Sequence, residues 1–348
     1  MTTDQRPSLT TVEALNRLLD LATGHCVSQA FFAACNLGVF EELSKGPATA
    51  EELSQKIRIH ALGCRRLLMA LDHLGLVERE NQRFRNSELG SYCTSSSPVN
   101  LAALSGIGTP FYHMFEFLVD ALKENSPRWE QALGVSSEDV FGALYADPAR
   151  LRQFAQLMNA LSIPEGAEIA RRFDFTPHQC IMDVAGGPGG IAVQIGVQHP
   201  HLRGIIMDMA PVCRVAEEYI QACGLAGRFT TAAADLFAGP YPPGADVLVL
   251  GHILHDWNDD NCRRILRNCF QTLPAAGVLL VSEQALNNDF SGSSLALRGD
   301  LTMLVVCESG ARERSEAEYR SLLEEAGFHE VEILRMEAPR DLIVARKR

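Results

Sequence analysis

Three aspartates stand near the ends of successive apolar runs, and a glycine-rich turn lies beside the first of them. Asp183 lies in the run Cys-Ile-Met-Asp-Val that precedes Ala-Gly-Gly-Pro-Gly-Gly, and Asp208 and Asp235 follow at the spacing of the next two strand ends. Glycines let the backbone adopt positive φ and let a ligand approach the main chain, while the following helix offers free N–H groups. The pattern predicts a strand, a tight turn and a helix that bind a nucleotide-like ligand.

The turn is compatible with two kinds of nucleotide. Gly187, Gly189 and Ala192 fit the G-x-G-x-x-A fingerprint of dinucleotide-binding proteins. Asp208 follows at about the ~20-residue spacing at which that fingerprint has its ribose acid. A turn that merely connects a strand to a helix in a parallel sheet is a third, purely structural interpretation.

Two features favour S-adenosylmethionine (SAM) over a dinucleotide. Asp183 precedes the glycines, and the sequence between residues 181 and 202 contains no Lys or Arg. SAM has no phosphate and carries a sulfonium and an ammonium group, so acids and backbone carbonyls suit it better than cations do. We expect SAM as the cofactor and S-adenosylhomocysteine as its product, with Asp208 at the ribose and Asp235 at the adenine amine.

The composition argues against some partners. The chain has 348 residues and a formal net charge of −12, and its Lys and Arg residues form no basic stripe. Nucleic acids and anionic membrane surfaces bind clustered cations, so we expect neither as a partner. The length is sufficient for two domains with large apolar cores.

Cysteine usage and apolar runs indicate the compartment. The ten cysteines are scattered without a C-x-x-C pair, and the N-terminus has no apolar signal core. No run approaches the ~18 apolar residues of a membrane span. Unpaired cysteines are typical of a reducing compartment, so we expect a cytoplasmic protein. We also expect no metal cofactor.

Residues 1–98 have the pattern of a winged helix. Apolar residues recur at helical spacing from Val12 to Phe40, a helix with acids in its first turn begins near Thr49, and a third helix and a polar hairpin follow. Many such modules bind DNA, but the would-be recognition helix is Leu-rich apart from Arg65 and Arg66. We therefore favour a mainly helical dimerisation domain over a DNA-binding one.

The rest of the chain shows two patterns. Residues 99–173 have helical periodicity and many aromatic residues and methionines, which we assign to a helical linker and substrate-pocket region. Residues 174–348 alternate strands and helices and end in an antiparallel strand pair. Such alternation predicts a Rossmann-like α/β domain, with helices on both faces of a parallel sheet and ligands at the carboxyl ends of its strands.

The segment Val249-Leu-Gly-His-Ile-Leu-His-Asp-Trp follows one of these strands and completes a set of motifs. The set comprises Phe31-Phe-Ala-Ala-Cys-Asn-Leu-Gly-Val-Phe, the turn Asp183–Gly189, Ala234-Asp-Leu-Phe, Leu254-His-Asp-Trp, Arg312-Glu-Arg and Ile343-Val-Ala-Arg-Lys. With these motifs the chain resembles, over nearly its whole length, the SAM-dependent small-molecule O-methyltransferases of the plant caffeate type. That family includes hydroxyindole (acetylserotonin) O-methyltransferases and bacterial natural-product enzymes. The resemblance implies a class I methyltransferase domain and a homodimer.

The resemblance also implies roles for individual residues. It makes His255 the general base, flanked by Glu283 and Glu313. Together with the turn, it assigns the cofactor to Asp183, Gly187, Gly189, Asp208, Met209, Asp235, Leu236, His252 and Trp257, and the acceptor to Met158, Asn159, Asp256, Asp300 and Met303. A phenol of pKa ~10 is a weak nucleophile at neutral pH, and a neutral histidine of pKa ~6.5 can take its proton as the methyl group moves.

Three positions depart from the family pattern. Ala185 replaces the first glycine of the turn, a change that is tolerable if the residue keeps a negative φ. Gly251 stands where plant members have a Lys, so that contact is lost. An additional acid, Glu308, leaves open whether it or one of the two flanking glutamates orients the base.

These observations lead to one main hypothesis and two alternatives. We predict a SAM-dependent O-methyltransferase that acts on a hydroxyl of a small aromatic, phenolic or indolic, secondary metabolite. C- or N-methylation of a natural-product intermediate needs only a different acceptor pocket on the same scaffold. A non-catalytic SAM-binding regulator is the second alternative, and the intact His255 with its candidate carboxylates argues against it.

Overall fold

The computed structural model describes residues 9–136 and 145–348. The chain divides between Gly108 and Thr109 into two compact units, each with a core of its own. Residues 137–144, part of the predicted pocket region, lie outside the described residues. Within the described ranges, no helix is both long enough and apolar enough to cross a membrane.

The first unit consists of short helices around a small antiparallel sheet. Its elements are α1 (Thr11–Ala22), α2 (Gly24–Asn36), α3 (Val39–Ser44), β1 (Ala48–Thr49), α4 (Ala50–Lys56), α5 (Ala61–His73), β2 (Val77–Glu80), β3 (Arg83–Asn86), α6 (Glu88–Ser91) and a 3-10 helix (Leu101–Leu104). The strands pair in the order β1-β3-β2. A capping box between Thr49 and Glu52 starts α4 where the sequence predicts a helix start. The order of elements agrees with the winged-helix prediction.

The helix α5 turns an apolar face into the core of this unit. Leu68 and Leu71 are fully buried, whereas Arg65 and Arg66 are exposed. Residues three apart lie on one face of a helix, so α5 uses its leucines for packing. Its burial supports the structural interpretation over the DNA-binding one.

The helix α1 has an apolar face that its own chain leaves exposed. None of its residues is buried, and its large apolar residues expose at least half of their surface. These residues are Val12, Leu15, Leu18, Leu19 and Leu21. A stripe of this size on one helix is typical of a protein–protein contact.

The second unit contains the large sheet. The helix α7 (Ser105–Phe115) spans the division, and the elements that follow are α8 (Leu118–Glu124), α9 (Trp129–Leu133), α10 (Pro148–Arg172), β4 (Cys180–Val184), α11 (Gly190–Gln198), β5 (Arg203–Asp208), α12 (Ala210–Ala222), β6 (Phe229–Ala233), β7 (Val247–Gly251), a 3-10 helix (Leu254–Asp256), α13 (Asp259–Thr272), β8 (Val278–Glu283), α14 (Ser294–Val306), α15 (Glu316–Glu325), β9 (His329–Leu334) and β10 (Asp341–Arg346). Among the described residues, seven strands pair in the order β6-β5-β4-β7-β8-β10-β9. The strand β10 runs antiparallel to both neighbours and the other pairs are parallel. This confirms the predicted Rossmann-like α/β fold class.

The strand β4 lies where the strand order reverses. It pairs with β5 on one side and with β7 on the other, and ligands of open α/β sheets bind in the crevice at such a point. Ile181 and Met182 belong to the apolar clusters on opposite faces of the sheet. Asp183, the next residue, is 2% exposed, so the sheet carries a buried acid close to this crevice.

The helix α14 was not predicted. The resemblance assigns Asp300 and Met303 to the acceptor and predicts no secondary structure for them. Only Ala296 and Val305 of this helix are buried, whereas Leu295, Leu297 and Leu301 are exposed, so its apolar residues do not form the single buried stripe by which a helix is predicted.

Candidate active site

A cavity of about 660 Å³ opens at the carboxyl ends of the central strands. Ten predicted site residues line it: Met158, Asp183, Gly187, Asp208, Met209, Asp235, Leu236, His252, Asp256 and Trp257. Tyr145, Ser162 and Pro211 also line it, and none of them is among the predicted site residues. Its described lining contains no Lys or Arg, which agrees with the expectation of a cationic ligand.

The glycine turn packs tightly against Asp183. A Cβ on Gly186 would lie 2.4 Å from Cγ of Asp183, so this position accepts no side chain unless the carboxylate moves. Gly187 and Gly189 have φ values of 56° and 90°, and Gly189 caps the start of α11 outside the cavity lining. Asp183 accepts a hydrogen bond from the Ala192 amide at 3.2 Å. Burial raises the pKa of Asp183 to about 7, so a bound cation would favour its ionised form.

The backbone at Ala185 does not meet the condition under which alanine is tolerated without strain. Its φ is +53°, whereas that condition was a negative φ. An alanine in the left-handed region costs roughly 1–2 kcal/mol, and the glycine of the family pattern would avoid this cost. His252 also has a positive φ, of 60°, and both residues line the cavity. Such strain persists only where the surrounding structure fixes the backbone, and it clusters at functional sites.

Asp208 ties the turn to the end of β5. Its Oδ2 accepts a hydrogen bond from the Gly187 amide at 2.8 Å, and its Oδ1 accepts one from the Met209 amide at 2.6 Å. Each carboxylate oxygen can accept a further bond from a ligand hydroxyl. Burial raises the pKa of Asp208 to about 6, so the carboxylate is largely ionised above neutral pH.

Replacement of Asp208 by Ala should weaken SAM binding by roughly 1–3 kcal/mol, which is a ~5- to 150-fold rise in Kd. The variant loses the predicted hydrogen bonds to the ribose and the two bonds that hold the turn. Isothermal titration calorimetry measures the effect. Asp289→Ala, which changes an exposed acid outside the cavity lining, should leave Kd unchanged. An unchanged Kd in the Asp208 variant would place the ribose contact elsewhere.

His255 is buried among carboxylates. It lies in the 3-10 helix Leu254–Asp256 and is 4% exposed. Its Nδ1 is 3.0 Å from Oε1 of Glu313 and 3.4 Å from Oε2 of Glu283. Its Nε2 is 3.5 Å from Oδ1 of the cavity-lining Asp256. Glu313 therefore makes the closest contact with Nδ1, and Nε2 lies beside Asp256, which lines the cavity.

The other two candidate glutamates hold backbone groups. Oε1 of Glu283 accepts hydrogen bonds from the amides of residues 253–255 at 3.0, 2.7 and 3.4 Å. Oε1 of Glu308 accepts from the Asn258 amide at 2.5 Å. These contacts favour Glu313 as the residue that orients the imidazole, and that assignment stays a prediction.

The carboxylates change the proton affinity of His255. Burial alone would lower its pKa, but Glu283, Glu313 and Asp256 outweigh burial and raise the pKa to about 10. The ordinary histidine pKa near ~6.5 that we assumed from the sequence is therefore wrong. His255, Glu283 and Glu313 also offer ligand atoms within 4.8 Å of one another, a donor set that could hold a metal ion. The expectation of no metal stays a prediction.

A second buried network lies behind His252. Its Nε2 is 2.6 Å from Oε2 of Glu165, and Oε1 of Glu165 accepts from Arg340 at 3.0 Å. Neither Glu165 nor Arg340 was predicted from the sequence. Glu165 is 87 residues away from His252 in the chain, and Arg340 is 175 residues away from Glu165. A side chain at Gly251, where plant members have a Lys, would require Ile191 to move, because a Cβ there would lie 2.3 Å from its Cδ1.

Three predicted acceptor residues lie outside the cavity lining. Oδ1 of Asn159 has no hydrogen-bond partner among the described residues. It lies close to Gly190, the first residue of α11, and a Cβ added there would be 3.0 Å from it. Asp300 accepts a hydrogen bond from the Glu313 amide at 3.0 Å, so it supports a candidate catalytic residue. Sδ of Met303 lies 3.6 Å from Sγ of Cys307. The roles of these residues in acceptor binding stay predictions.

The parallel sheet, the glycine turn and the acidic cavity define a SAM-dependent methyltransferase. A family model described as an O-methyltransferase domain matches residues 115–329, and one described as an O-methyltransferase dimerisation domain matches residues 19–96. The chain belongs to this O-methyltransferase family.

Similar proteins match nearly the whole chain. The 3-hydroxy-5-methyl-1-naphthoate 3-O-methyltransferase of Streptomyces sahachiroi is 34% identical, over 92% of this chain and 92% of its own length. Acetylserotonin O-methyltransferase of Bos taurus is 32% identical, over 96% of this chain and 98% of its own. The crystal structure of human N-acetylserotonin methyltransferase in complex with SAM superposes with a TM-score of 0.90 at 30% identity, covering 100% of this chain and 99% of its own. These findings confirm the predicted family, fold class and cofactor.

Proposed function

We propose that this protein transfers the methyl group of SAM to a hydroxyl group of a small aromatic molecule, with His255 as the general base. The geometry of the imidazole is the observation that carries the proposal. Glu313 lies 3.0 Å from Nδ1, and Nε2 remains near the cavity-lining Asp256 to accept a proton. A phenol of pKa ~10 is mostly protonated below that pH, so it is an acceptor that needs a base. The neutral form of His255, which can serve as that base, increases as the pH rises toward the ring's own pKa of about 10.

Residues of this chain bind the cofactor and transfer the proton. SAM supplies the methyl group as part of a sulfonium ion. Asp208 holds the ribose, and Asp235 holds the adenine amine. Oδ1 of Asp235 also accepts a hydrogen bond from the Phe237 amide at 2.8 Å. When Nε2 of His255 takes the hydroxyl proton, the Glu313 carboxylate fixes the tautomer and stabilises the imidazolium ion.

The cavity wall supports an aromatic acceptor. Aromatic and thioether side chains line it, namely Tyr145, Phe154, Met158, Phe237 and Trp257. The rings of Phe237 and Trp257 pack edge to face with centroids 4.7 Å apart. The names of two relatives give a hydroxynaphthoate and acetylserotonin as their acceptors. We therefore propose a phenolic or indolic secondary metabolite as the acceptor of this chain.

Methyl transfer from isotope-labelled SAM to a panel of acceptors tests the proposed function. The panel contains hydroxyindoles, naphthols and phenols, each paired with its methoxy analogue as a control with a blocked hydroxyl. Label should enter the free hydroxyl compounds and not their blocked partners. Equal labelling of a blocked analogue at nitrogen or carbon would favour the C- or N-methyltransferase alternative, because that chemistry does not use the hydroxyl.

We also propose that the protein is a homodimer that covers the exposed apolar face of α1. The family model for a dimerisation domain begins at residue 19 and therefore includes the last four residues of this helix, 19–22. Light scattering at micromolar concentration should give twice the mass of one chain. The double substitution Leu15→Glu and Leu18→Glu should shift this value toward one chain, because it places charges on the apolar stripe. Arg17→Glu, an exposed change on the same helix, should remain dimeric. A monomeric wild type would contradict the proposal.

The cysteines support a cytoplasmic location. All ten are free thiols in the structure; six of them are buried, three are partly buried and one is exposed. Free thiols persist in a reducing compartment. We therefore keep the cytoplasm as the proposed location.

A further inference from the structure

Arg314 is fully buried, and its guanidinium lies against the turn that carries His255. Nη1 donates to the Leu254 carbonyl and Nη2 donates to the Trp257 carbonyl, both at 2.7 Å. These two carbonyls stand on either side of His255 and Asp256 in the chain. The guanidinium therefore joins the two ends of the turn.

This turn has few internal contacts of its own. It is a 3-10 helix of three residues, and so short a helix leaves most of its amides and carbonyls without internal partners. Glu283 accepts from the amides, and the Arg312 amide donates to the His255 carbonyl at 3.1 Å. Arg314 donates hydrogen bonds to the carbonyls at both ends of the turn.

Arg314 is itself held from the outer side. Its Nε and Nη2 donate to Oδ1 of Asp259 at 3.1 and 2.9 Å. Asp259 is the first residue of α13, where the helix N-terminus stabilises a carboxylate. The planar fork of an arginine can bind two carbonyls and a carboxylate at once, whereas the single ammonium of a lysine cannot hold all three in this geometry.

We infer that Arg314 is a positioning residue that fixes His255 against Glu313, an inference that rests on the proposed role of His255 as the base. Glu313 and Arg314 are consecutive, so one segment places a carboxylate on the ring and a guanidinium on the backbone that carries the ring. Release of the turn would lengthen the 3.0 Å contact between Nδ1 and Glu313 and displace Nε2 from the acceptor. A displacement of about 1 Å can cost ~10²-fold in rate.

Replacement of Arg314 by Met should lower kcat by roughly 10- to 100-fold, and Arg314→Lys should lie between this variant and the wild type. The Kd for SAM and the number of SAM sites per chain, both from calorimetry, should stay near the wild-type values. Nitrogen-15 NMR titration of labelled histidines, with the His255 signal assigned by its absence in His255→Ala, should show the ring pKa falling from about 10, because its carboxylate partner is farther away. A role in global stability alone would reduce the number of SAM sites and leave this pKa unchanged.

Arg320→Met is the matched control. Arg320 is an exposed arginine that donates to the Val331 carbonyl at 2.6 Å, outside the cavity lining. Its replacement should leave kcat and the ring pKa at their wild-type values. If Arg314→Met does not fold, Asp259→Asn weakens the contact that holds the same guanidinium on its more exposed side. The kcat and the His255 ring pKa should then both fall, by less than in Arg314→Met.

Two outcomes would separate failure of this inference from failure of the proposed function. A wild-type kcat and ring pKa in Arg314→Met, or in Asp259→Asn if the first variant is unfolded, would overturn the positioning role of Arg314. A lowered ring pKa with undiminished kcat would support the positioning role and show that His255 is not the base.

Discussion

Replacement of His255 by alanine is expected to lower kcat by about 10²–10⁴-fold, the usual contribution of a general base, while SAM affinity stays nearly unchanged. In the proposed mechanism the ring takes the proton of the acceptor hydroxyl. The ring itself does not belong to the cavity lining, which includes the candidate cofactor residues. Steady-state kinetics with the best acceptor of the panel measure the first effect, and calorimetry with SAM measures the second.

His201→Ala is the matched control for this prediction. His201 is an exposed histidine whose Nε2 lies 3.1 Å from the Phe175 carbonyl, outside the cavity lining. Its loss should leave kcat at the wild-type value. Full activity of the His255 variant on the true acceptor would show that proton removal is not the task of this ring. The acceptor would then be a carboxylate or a carbon nucleophile that needs no base at this position.

The main chain of the catalytic unit was largely predictable because its signals are local. The strands Phe229–Ala233 and Val278–Glu283 are two members of the predicted alternation of strands and helices. Each is an apolar run between turn residues, and both the run and its ends are visible in adjacent residues. The glycine turn was predictable for the same reason, since its glycines and Asp183 lie within a few positions of one another.

The polar networks behind the site were not predictable from local patterns. Glu165 and His252 are 87 residues apart, and Arg314 and Leu254 are 60 residues apart. Hydrogen bonds between distant segments leave no periodic signal, and a charged residue in the sequence gives no sign of whether it will be buried. Arg314 belongs to the Arg-Glu-Arg motif, but the motif predicted a role only for its glutamate, Glu313.

Two ordinary preferences fail at the site for the same physical reason. The φ of Ala185 and the pKa of His255 were assigned from the ordinary preferences of alanine and histidine. The folded surroundings outweigh both preferences. Packing of the turn holds Ala185 at +53°, and the nearby carboxylates raise the pKa of His255 to about 10.

The pH dependence of kcat/KM is expected to show an alkaline limb. This ratio reports the pKa values of the free enzyme, and the carboxylates around His255 raise its pKa to about 10. Only the neutral ring can accept a proton, so activity should keep rising through pH 8 and level off near 10. A phenol acceptor of pKa ~10 is then matched to the base, which makes proton transfer between them nearly balanced.

Glu313→Gln should move this limb to lower pH by about 1–3 units. The substitution removes one of the carboxylates that raise the pKa of His255 and keeps an oxygen that can accept a hydrogen bond from Nδ1. Glu308→Gln is the control, because Glu308 accepts from the Asn258 amide and is not among the groups that raise the His255 pKa. Rate profiles of the three proteins between pH 6 and 10.5 make the comparison.

A limb at the same pH in all three proteins would have a different origin, because the hydroxyl of a phenol acceptor also titrates near ~10. A second acceptor with a more acidic hydroxyl separates the two cases. If the limb follows the acceptor and ignores the Glu313 substitution, the protein binds a phenolate and needs no base. If the limb follows the substitution and ignores the acceptor, the titrating group is His255. The second result is expected, since the ring is fixed by a carboxylate at 3.0 Å and its pKa depends on that contact.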